Sequence, residues 1–411
     1  MNFGQAEKFV ESLKVKNKDF DLATVKELCM ALGLDLGKLN AVHIAGSNGK
    51  GSVTSFISSI LIEDNYVVGT YTSPHLLSIT ERIKTNNREI SREGFAAEAS
   101  EIKKVLSKMK KKPSYFEFLT ALAFKHFLEK NVDFLVIETG MGGRLDATNI
   151  IESKVQVITE IALEHEKSLG SSIEKIASEK AGIIKCNSMC VALESNPGFP
   201  VIRSVAELRE TKIVSPEFKA IEVSSHGNLF DLLKPVHLTG IKTKMIGFHQ
   251  VENASLALGA VHCLQLQGFH VSKKARKQGI AKMLWPGRIQ VLRRQPLIIV
   301  DAAHNPNGAE SLGKALKLFN YQKLILVFGA LKDKNVEGML GFFKPDELIL
   351  TAPKNDRAFK VKELKEKFIG NKVVVPVKKA IKNAVKQAKK NDLVLVTGSL
   401  YTIAEALKSF K

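Results

Sequence analysis

The stretch of the chain with the clearest chemical potential is a glycine-rich loop, GSNGKGS, at residues 46–52. It follows an apolar run and precedes an apolar helical pattern, the arrangement in which backbone N–H groups and a helix dipole bind phosphate. Lys50 would reach the β and γ phosphates of a nucleotide, and the Ser52 hydroxyl would join a Mg²⁺ shell. In the common GxxxxGK[ST] loop these two residues are adjacent, whereas here Gly51 separates them. The spacing favours phosphate binding over a glycine-rich turn without a ligand.

Polar residues with metal-binding side chains follow other apolar runs. Ser73 lies in TSPHL, Glu138 in ETGMGGRLDATN and His165 in ALEHEKSLG. Ligands of open α/β sheets bind beyond the carboxyl ends of the strands, where these residues fall. Each alone is typical of a packed or capping residue. Together with a phosphate loop, they predict a group of ligands for Mg²⁺, which would bridge ATP and an acidic substrate.

A later strand pattern ends in VDAAHNP, which contains Asp301, His304 and Asn305. An aspartate and a histidine three residues apart at a strand-to-helix turn can contact a nucleotide. Alternatively, Asp301 caps the following helix. The spacing leaves both interpretations open.

The elements that must position these residues alternate between apolar strand runs and helical patterns. Strand candidates such as AVHIAG, VDFLVIET and VQVITEIA are apolar throughout, as in parallel strands buried on both faces by crossover helices. They predict an α/β fold with an N-terminal, doubly wound, P-loop mononucleotide-binding sheet. Between residues 188 and 246 the pattern breaks into short pieces, KIVS, IEVSS and PVHLTG, which predict a small β-rich appendage.

A second alternation of strand and helix patterns begins near residue 290. Its strand candidates, separated by helical stretches, are PLIIVDAAHN, KLILVFGA, ELILTAP, KVVVPV and DLVLVTGS. They predict a C-terminal Rossmann-like parallel α/β domain. We therefore place an ATP-binding (P-loop) domain at residues 1–284 and the C-terminal α/β domain at residues 285–411.

Composition and charge narrow the class of protein. The 411 residues are 45% hydrophobic and 25% charged, as in an ordinary globular protein. The start, MNFGQAEKFV, lacks the apolar segment of a signal peptide, and four cysteines are too few for a disulfide framework. We therefore expect a cytoplasmic protein with reduced thiols and no membrane association.

The formal net charge of +19 suits nucleic acid, a membrane surface or a polyanionic small substrate. The lysines occur in short clusters without interleaved aromatic residues, which favours solvated faces over a nucleic-acid interface. The alternative from another functional class is a non-enzymatic protein that binds nucleic acid in a nucleotide-dependent way. In that case, nucleic-acid binding should weaken steeply as the salt concentration rises.

With these residues placed, the sequence resembles the Mur ligase superfamily and, within it, the folylpolyglutamate synthase/dihydrofolate synthase family. The resemblance spans most of the chain and is carried, in order, by HIAGSNGKGS, TSPHL, ERIKTN, FEFLTALAF, ETGMGGRLDATN, ALEHEKSLG, EKAGIIK, HQVENA, WPGR, DAAHNPNG, FGALKDK and TGSL. It implies an ATP-dependent ligase that activates a carboxylate as an acyl phosphate and joins it to the amino group of L-glutamate. The acceptor would be dihydropteroate, the glutamate tail of reduced folates, or both.

The resemblance also implies roles for individual residues. Lys180 of EKAGIIK matches a lysine that reacts with CO₂ to form a carbamate, an anion able to bind a second Mg²⁺. The implied catalytic residues are Lys50, Lys180, Asp301 and His304. The implied ATP contacts are Gly46, Ser47, Asn48, Gly49, Lys50, Gly51, Ser52, Asn253, Arg288, Asp301 and His304. The implied metal ligands are Ser52, Ser73, Glu138, His165 and Lys180, and the implied substrate contacts are Arg82, Phe116, Asp146 and Ser399.

Several positions depart from the family pattern. Ser47 replaces the usual Thr, and ALEH replaces the usual GLDH, so Glu164 is one methylene longer than the usual aspartate. Ala302 stands where glycine is usual, and KTNNREIS lacks the glycine that usually follows its first Asn. None of these changes removes a chemical group that the mechanism needs.

The nearest rival is another Mur-superfamily amino-acid ligase that acts on a non-folate carboxylate. Cell-wall members usually carry an additional N-terminal domain ahead of the loop, and only about forty residues precede Gly46 here. The expected partners are therefore small molecules: ATP, L-glutamate and dihydropteroate or folates. We expect no nucleic-acid or membrane partner, and a monomer, as is common in the family.

Overall fold

The structure, a computed structural model, describes residues 1–14, 21–368 and 372–410. These residues form two compact units. Unit 1 comprises Met1–Ile221, Leu229–Thr243 and Gln250–Met283, and unit 2 comprises Glu222–Asn228, Lys244–His249 and Leu284–Lys411. None of the described helices is long and apolar enough to cross a membrane. All four cysteines are free thiols.

Unit 1 is built on an eight-stranded sheet in the order β4-β3-β2-β5-β1-β6-β7-β8. Its strands are β1 (Ala41–Ala45), β2 (Val68–Tyr71), β3 (Ile83–Thr85), β4 (Arg88–Glu89), β5 (Phe134–Glu138), β6 (Ser153–Ile158), β7 (Met189–Val191) and β8 (Lys212–Val214). The pairs from β2 to β8 are parallel, and β3 and β4 add an antiparallel hairpin at one edge. The loop after β1 therefore lies where the strand order reverses, the usual ligand position of a doubly wound sheet.

The central strands are buried at every position, as their apolar sequences predict. All five residues of β1 and of β5 are buried. The helices of residues 1–283 are α1 (Phe3–Ser12), α2 (Ala23–Ala31), α3 (Lys50–Glu63), α4 (Arg92–Leu106), α5 (Tyr115–Glu129), α6 (Glu166–Leu169), α7 (Ile173–Ala181), α8 (Phe199–Leu208), α9 (Phe248–Leu266) and α10 (Lys273–Lys282). One apolar cluster includes Phe118 and Phe124 of α5, and a separate one includes Ile176 of α7 and Ile202 of α8. The predicted doubly wound α/β sheet is confirmed.

The β-rich appendage is smaller than the sequence pattern suggested. A separate three-stranded sheet contains β9 (Glu217–Ser224), β10 (Gly227–Lys234) and β11 (Leu238–Thr243). The earlier piece KIVS forms β8, which pairs in parallel with β7 at the edge of the main sheet. Strands of three residues are too short for their periodicity to reveal which sheet they join.

Unit 2 contains a six-stranded sheet in the order β12-β13-β17-β14-β15-β16. Its strands are β12 (Gln290–Arg294), β13 (Leu297–Val300), β14 (Leu324–Phe328), β15 (Glu347–Leu350), β16 (Lys372–Val373) and β17 (Leu393–Thr397). The five predicted strands pair in parallel, and β12, which the sequence prediction missed, is antiparallel to β13. The helices are α11 (Pro306–Leu316), α12 (Val336–Leu340), α13 (Val361–Lys367), α14 (Val377–Gln387) and α15 (Leu400–Phe410).

Helix α3, which follows the glycine-rich loop, is fixed by a close contact with α10. A Cβ atom added at Gly279 of α10 would lie 2.4 Å from Cα of Ile60 and 2.6 Å from its backbone nitrogen. Ser59 Oγ also donates a hydrogen bond of 2.8 Å to the Gly279 carbonyl. The two backbones therefore meet at a position that tolerates no side chain.

We predict that Gly279→Ala destabilises the protein by about 1–3 kcal/mol, because overpacking against the Ile60 backbone outweighs the better helix propensity of alanine. Urea unfolding followed by circular dichroism measures this change. Gly4→Ala in α1 is the matched control, since the nearest atom to its added Cβ is 3.8 Å away. The contact is unimportant if both variants unfold at the same denaturant concentration.

Candidate active site

The glycine-rich loop has a backbone conformation that requires glycine at two positions. Gly46 has φ 154° and Gly49 has φ 89°. A Cβ atom at Gly46 would lie 1.7 Å from Thr159 Oγ1, and one at Gly49 would lie 2.4 Å from Asn253 Oδ1. Asn253, predicted as an ATP contact, therefore lies directly against the loop. Helix α3 begins at the next residue, Lys50.

Hydrogen bonds tie the loop to the segment that follows β6. Ser47 N–H donates to the Glu160 carbonyl at 2.8 Å, and Thr159 Oγ1 donates to the Asn48 carbonyl at 2.6 Å. The Ser47 hydroxyl donates to the Ala162 carbonyl at 2.9 Å and accepts from its N–H at 3.0 Å. Serine thus supplies the hydroxyl that this position uses, and the loop is fixed to residues 159–162.

Two lysines converge on one carbonyl oxygen of this loop. Lys50 Nζ and Lys180 Nζ each donate to the Gly46 carbonyl at 2.7 Å. Lys180 also donates to Glu164 Oε1 at 2.7 Å, and both side chains of that ion pair are buried. The site therefore carries two cations and one carboxylate before any ligand binds, and this excess of positive charge suits a phosphate anion.

Lys180 lies on the apolar side of α7. The helix buries Ile176, Ala177, Lys180 and Ala181. Lys180 follows Ile176 by four residues and so continues the inward-facing stripe of the helix. A lysine in a helix usually faces solvent, but Lys180 is buried, and its helical spacing from Ile176 is consistent with that position.

Lys180 and Glu164 both have pKa values below their ordinary range, for different reasons. Burial, reinforced by the charge of Lys50, lowers the pKa of Lys180 to about 8, although Glu164 opposes the shift. Burial raises the pKa of Glu164, but Lys180 and Lys50 outweigh that effect and bring it to about 2. Glu164 is consequently a carboxylate at neutral pH, and the neutral amine of Lys180 is accessible at mildly alkaline pH.

Four of the five predicted metal ligands lie in two places, Ser73 with Glu138 and His165 with Lys180 around Glu164. Ser73 N–H donates a hydrogen bond to Glu138 Oε1, which places these residues in direct contact. His165 Nε2 lies 4.0 Å from Glu164 Oε2, next to Lys180. Ser52 is buried in the first turn of α3. Among residues 1–14, 21–368 and 372–410, no three or more His, Cys, Asp or Glu side chains are grouped to hold a metal ion.

A cavity of about 320 Å³ in unit 1 is lined in part by Ser73. It is lined by Asp21, Ser73, Pro74, Arg82, Ser114, Tyr115, Phe116, Glu117, Gly140, Met141, Leu145, Asp146 and Ala147. The predicted substrate residues Arg82, Phe116 and Asp146 thus share one cavity with Ser73. Arg82 Nε donates to His75 Nδ1 at 2.9 Å, and its guanidinium carbon lies 5.5 Å from the centre of the Tyr115 ring. The sequence prediction did not include His75 or Tyr115.

In unit 2, Asp301 orients its own strand-to-helix turn. Its Oδ1 accepts from Ala303 N–H and its Oδ2 from Ile289 N–H, both at 2.8 Å. Burial raises the pKa of Asp301, although Arg288 and these hydrogen bonds oppose the shift. Helix α11 is capped by Asn305, whose side chain accepts from Gly308 N–H at 2.7 Å. The alternative that Asp301 caps this helix is therefore wrong.

Two further predicted residues lie in unit 2. His304 Nδ1 lies 3.0 Å from the Ala302 carbonyl, so this nitrogen carries a proton and donates it. Ser399 Oγ donates to the Gly329 carbonyl at 2.8 Å and lies 2.8 Å from Thr402 Oγ1. Ser399 is buried and directly precedes helix α15.

Comparison with known proteins identifies the class of protein that this fold and loop define. The Mur ligase middle domain matches residues 44–261, and the Mur ligase glutamate ligase domain matches residues 287–400. The chain is 36% identical over 407 residues to the dihydrofolate synthase/folylpolyglutamate synthase of Bacillus subtilis, covering 95% of each chain. It belongs to the folylpolyglutamate synthase/dihydrofolate synthase family of Mur ligases.

Solved structures of this family have the same fold. Folylpolyglutamate synthase of Mycobacterium tuberculosis complexed with ADP superposes with a TM-score of 0.92 at 30% identity, covering 99% of this chain and 98% of that one. A bifunctional folylpolyglutamate synthase/dihydrofolate synthase with Mn, AMPPNP and L-glutamate bound gives a TM-score of 0.88 at 30% identity, covering 100% and 98%. The prediction of family and of fold class is confirmed.

We predict that Glu164→Gln lowers the free energy of unfolding at pH 7 by about 3 kcal/mol, because it leaves the buried Lys180 cation without its carboxylate. The folded-state pKa of Glu164 is lowered, so its stabilising contribution is present above the unfolded value of 4.5 and is lost as pH falls towards about 2. The difference between wild type and variant should therefore shrink across that window.

Urea unfolding at a series of pH values measures this difference. Glu166→Gln is the control, since Glu166 is an exposed neighbour on the same segment. A variant at position 164 as stable as the wild type at pH 7 would show that the ion pair contributes nothing.

Proposed function

We propose that this protein is an ATP-dependent amide ligase that adds L-glutamate to dihydropteroate, to the glutamate tail of reduced folates, or to both. The observation that carries the proposal is the convergence of Lys50 and Lys180 on the Gly46 carbonyl at the start of α3. This arrangement offers the Lys50 cation and a helix N-terminus to a phosphate chain, and it places the Lys180 amine beside them. Membership of a family whose solved structures hold ADP, or AMPPNP with L-glutamate, supports the same conclusion.

ATP would bind with its phosphates on the loop Gly46, Ser47, Asn48, Gly49, Lys50, Gly51 and Ser52. Asn253 lies against Gly49 and would orient the same end of the nucleotide. Arg288, Asp301 and His304 complete the proposed nucleotide contacts. His304 can present Nε2 to a phosphate oxygen because Nδ1 is directed at the Ala302 carbonyl.

The residues proposed to hold Mg²⁺ have the appropriate donor chemistry. The hydroxyls of Ser52 and Ser73, the Glu138 carboxylate and the His165 imidazole are acceptable ligands, and Glu138 is already in contact with Ser73. Bound at two sites, Mg²⁺ would neutralise charge on the transferring phosphoryl group. The Mn of the relative with AMPPNP supports the use of a divalent ion.

Lys180 is the proposed site of carbamylation. The neutral amine attacks CO₂, the nitrogen loses its proton to solvent, and the product is a carbamate anion. A pKa of about 8 makes the reactive neutral amine available near physiological pH. Carbamylation replaces the cation that pairs with Glu164 by an anion, so Glu164 must give up this ion pair and the new anion can bind the second Mg²⁺.

The reaction requires positioning more than covalent participation by the protein. The acceptor carboxylate attacks the γ-phosphorus of ATP and ADP leaves. The amino group of L-glutamate then attacks the acyl phosphate carbon, and the tetrahedral intermediate expels phosphate as the amide forms. Lys50 would stabilise the negative charge that the transferring phosphoryl group spreads over its oxygens.

The cavity in unit 1 is the proposed acceptor site. The Phe116 ring offers a flat apolar surface for a pterin, Asp146 offers carboxylate oxygens for its N–H groups, and the buried Arg82 guanidinium suits a carboxylate. Ser399 is proposed to contact glutamate. We further propose a cytoplasmic monomer without nucleic-acid or membrane partners, because the positive charge is distributed over scattered lysines.

The proposed function predicts phosphate release that requires both L-glutamate and a pterin acceptor. Purified protein with ATP and Mg²⁺ should release phosphate with dihydropteroate or a reduced folate, and omission of L-glutamate should abolish the release. Mass spectrometry of the products distinguishes addition to dihydropteroate from extension of a folate tail. Absence of glutamate-dependent release with every pterin tested would refute the folate reaction.

We predict that Lys180→Ala abolishes turnover and that added bicarbonate does not restore it, because the variant has no amine to carbamylate. Turnover is measured by phosphate release, and circular dichroism confirms that the variant is folded. Carbon NMR of the wild type treated with ¹³C-bicarbonate should show a carbamate signal that the variant lacks. Full activity of the variant would contradict the carbamate role.

A further inference from the structure

A buried chain of hydrogen bonds runs from the wall of the proposed acceptor cavity to the central strand of the sheet. Asp146 Oδ1 accepts from the Thr148 hydroxyl at 2.6 Å and from Thr148 N–H at 3.0 Å. The same hydroxyl lies 2.8 Å from Nε2 of His43, the middle residue of β1. Thr148 and His43 are fully buried, whereas Asp146 lines the cavity.

The direction of this chain follows from counting protons. A hydroxyl has a single proton, and a carboxylate oxygen only accepts. The Thr148 proton therefore goes to Asp146, and the hydroxyl oxygen must accept from His43. His43 consequently carries its proton on Nε2, and one protonation pattern satisfies every contact in the chain.

The surroundings of His43 are consistent with that tautomer. Burial, reinforced by the charge of Lys185, lowers the pKa of His43 to about 3, so the ring is neutral and has one proton. Nδ1 is buried and has no hydrogen-bond partner among the described residues. The opposite tautomer would bury an unpaired N–H group at Nδ1 and would leave Nε2 without a proton for Thr148.

Hydrogen bonds stabilise the charged form of the Asp146 carboxylate, which burial disfavours. Asp146 is 6% exposed, and burial raises its pKa, against which the hydrogen bonds to Thr148, Met141 and Gly140 act. Its second oxygen, Oδ2, accepts from Met141 N–H at 2.8 Å. Backbone donors hold both oxygens, and the Thr148 hydroxyl adds the side-chain contact that His43 in turn orients.

We infer that Thr148 and His43 are positioning residues for acceptor binding, because they fix the Asp146 carboxylate in one orientation at the cavity wall. Neither touches the cavity, so each acts through Asp146. The inference rests on the proposed function in taking the cavity as the acceptor site. It adds two residues, neither among the predicted site residues, that control affinity for the pterin and leave the nucleotide loop unchanged.

The test compares Thr148→Val, which keeps the shape of the side chain but removes the hydroxyl, with Thr148→Ser, which keeps the hydroxyl. Thr148→Val should raise the KM for the pterin acceptor roughly ten-fold, the loss expected for a hydrogen bond to a charged group. Its KM for ATP should not change, and Thr148→Ser should resemble the wild type. Thr54→Val is the matched control, because the Thr54 hydroxyl is buried in α3 without a hydrogen-bond partner among the described residues.

A second measurement needs no turnover and no variant. Nitrogen NMR of the wild-type protein should show His43 protonated at Nε2 and bare at Nδ1. Protonation at Nδ1, or an unchanged acceptor KM in Thr148→Val, would overturn the inference. Failure of the proposed function appears differently, as a wild type without glutamate-dependent phosphate release, and the NMR signal still reports the direction of the hydrogen-bond chain.

Discussion

The carbonyl of Gly46 is the point on which the site in unit 1 depends. It accepts hydrogen bonds from Lys50 and Lys180, two ammonium groups that would otherwise repel each other in a buried setting. Glu164 balances part of their charge and leaves a net positive charge beside the loop. The loop, α3, α7 and the segment after β6 must therefore keep the same relative positions for this site to exist. Close packing and the hydrogen bonds around the Gly46 carbonyl maintain them.

The parallel sheet provides those positions because its central strands are buried on both faces and end at one edge. Strand β1 leads into the phosphate loop, β5 ends at Glu138, and β6 leads to the residues that hold the loop. The same β1 also contributes His43 to the acceptor side. One strand thus supports both the proposed nucleotide region and the proposed acceptor region of unit 1.

The fold could be predicted from the sequence wherever an element was long and apolar enough to show its period. Strand β12 was missed because QVLRR is short and two of its five residues are charged, and β7 and β8 were misplaced because three residues carry no period. Among site residues, the tight turn after β1 was predictable from its glycines. Burial of Lys180 was predictable from helical spacing but conflicted with the usual preference of lysine for solvent.

Glu164 and Thr148 were not identifiable by spacing alone, since their partners are 16 and 105 residues away in the sequence. The helix cap in DAAHNP could have been predicted, because Asn before a proline at the first helical position is a strong start signal. Because Asn305 caps the helix, the Asp301 carboxylate instead accepts hydrogen bonds from the backbone N–H groups of Ile289 and Ala303.

The anchoring of the Ser47 and Asn48 backbone to residues 159–162 has a thermodynamic consequence for ligand binding. A loop that is ordered only by its ligand loses conformational entropy on binding, and each residue fixed costs about 1–2 kcal/mol. Here the protein has already lost that entropy on folding, through hydrogen bonds that do not involve the nucleotide. More of the attraction between phosphate and loop is then available as affinity.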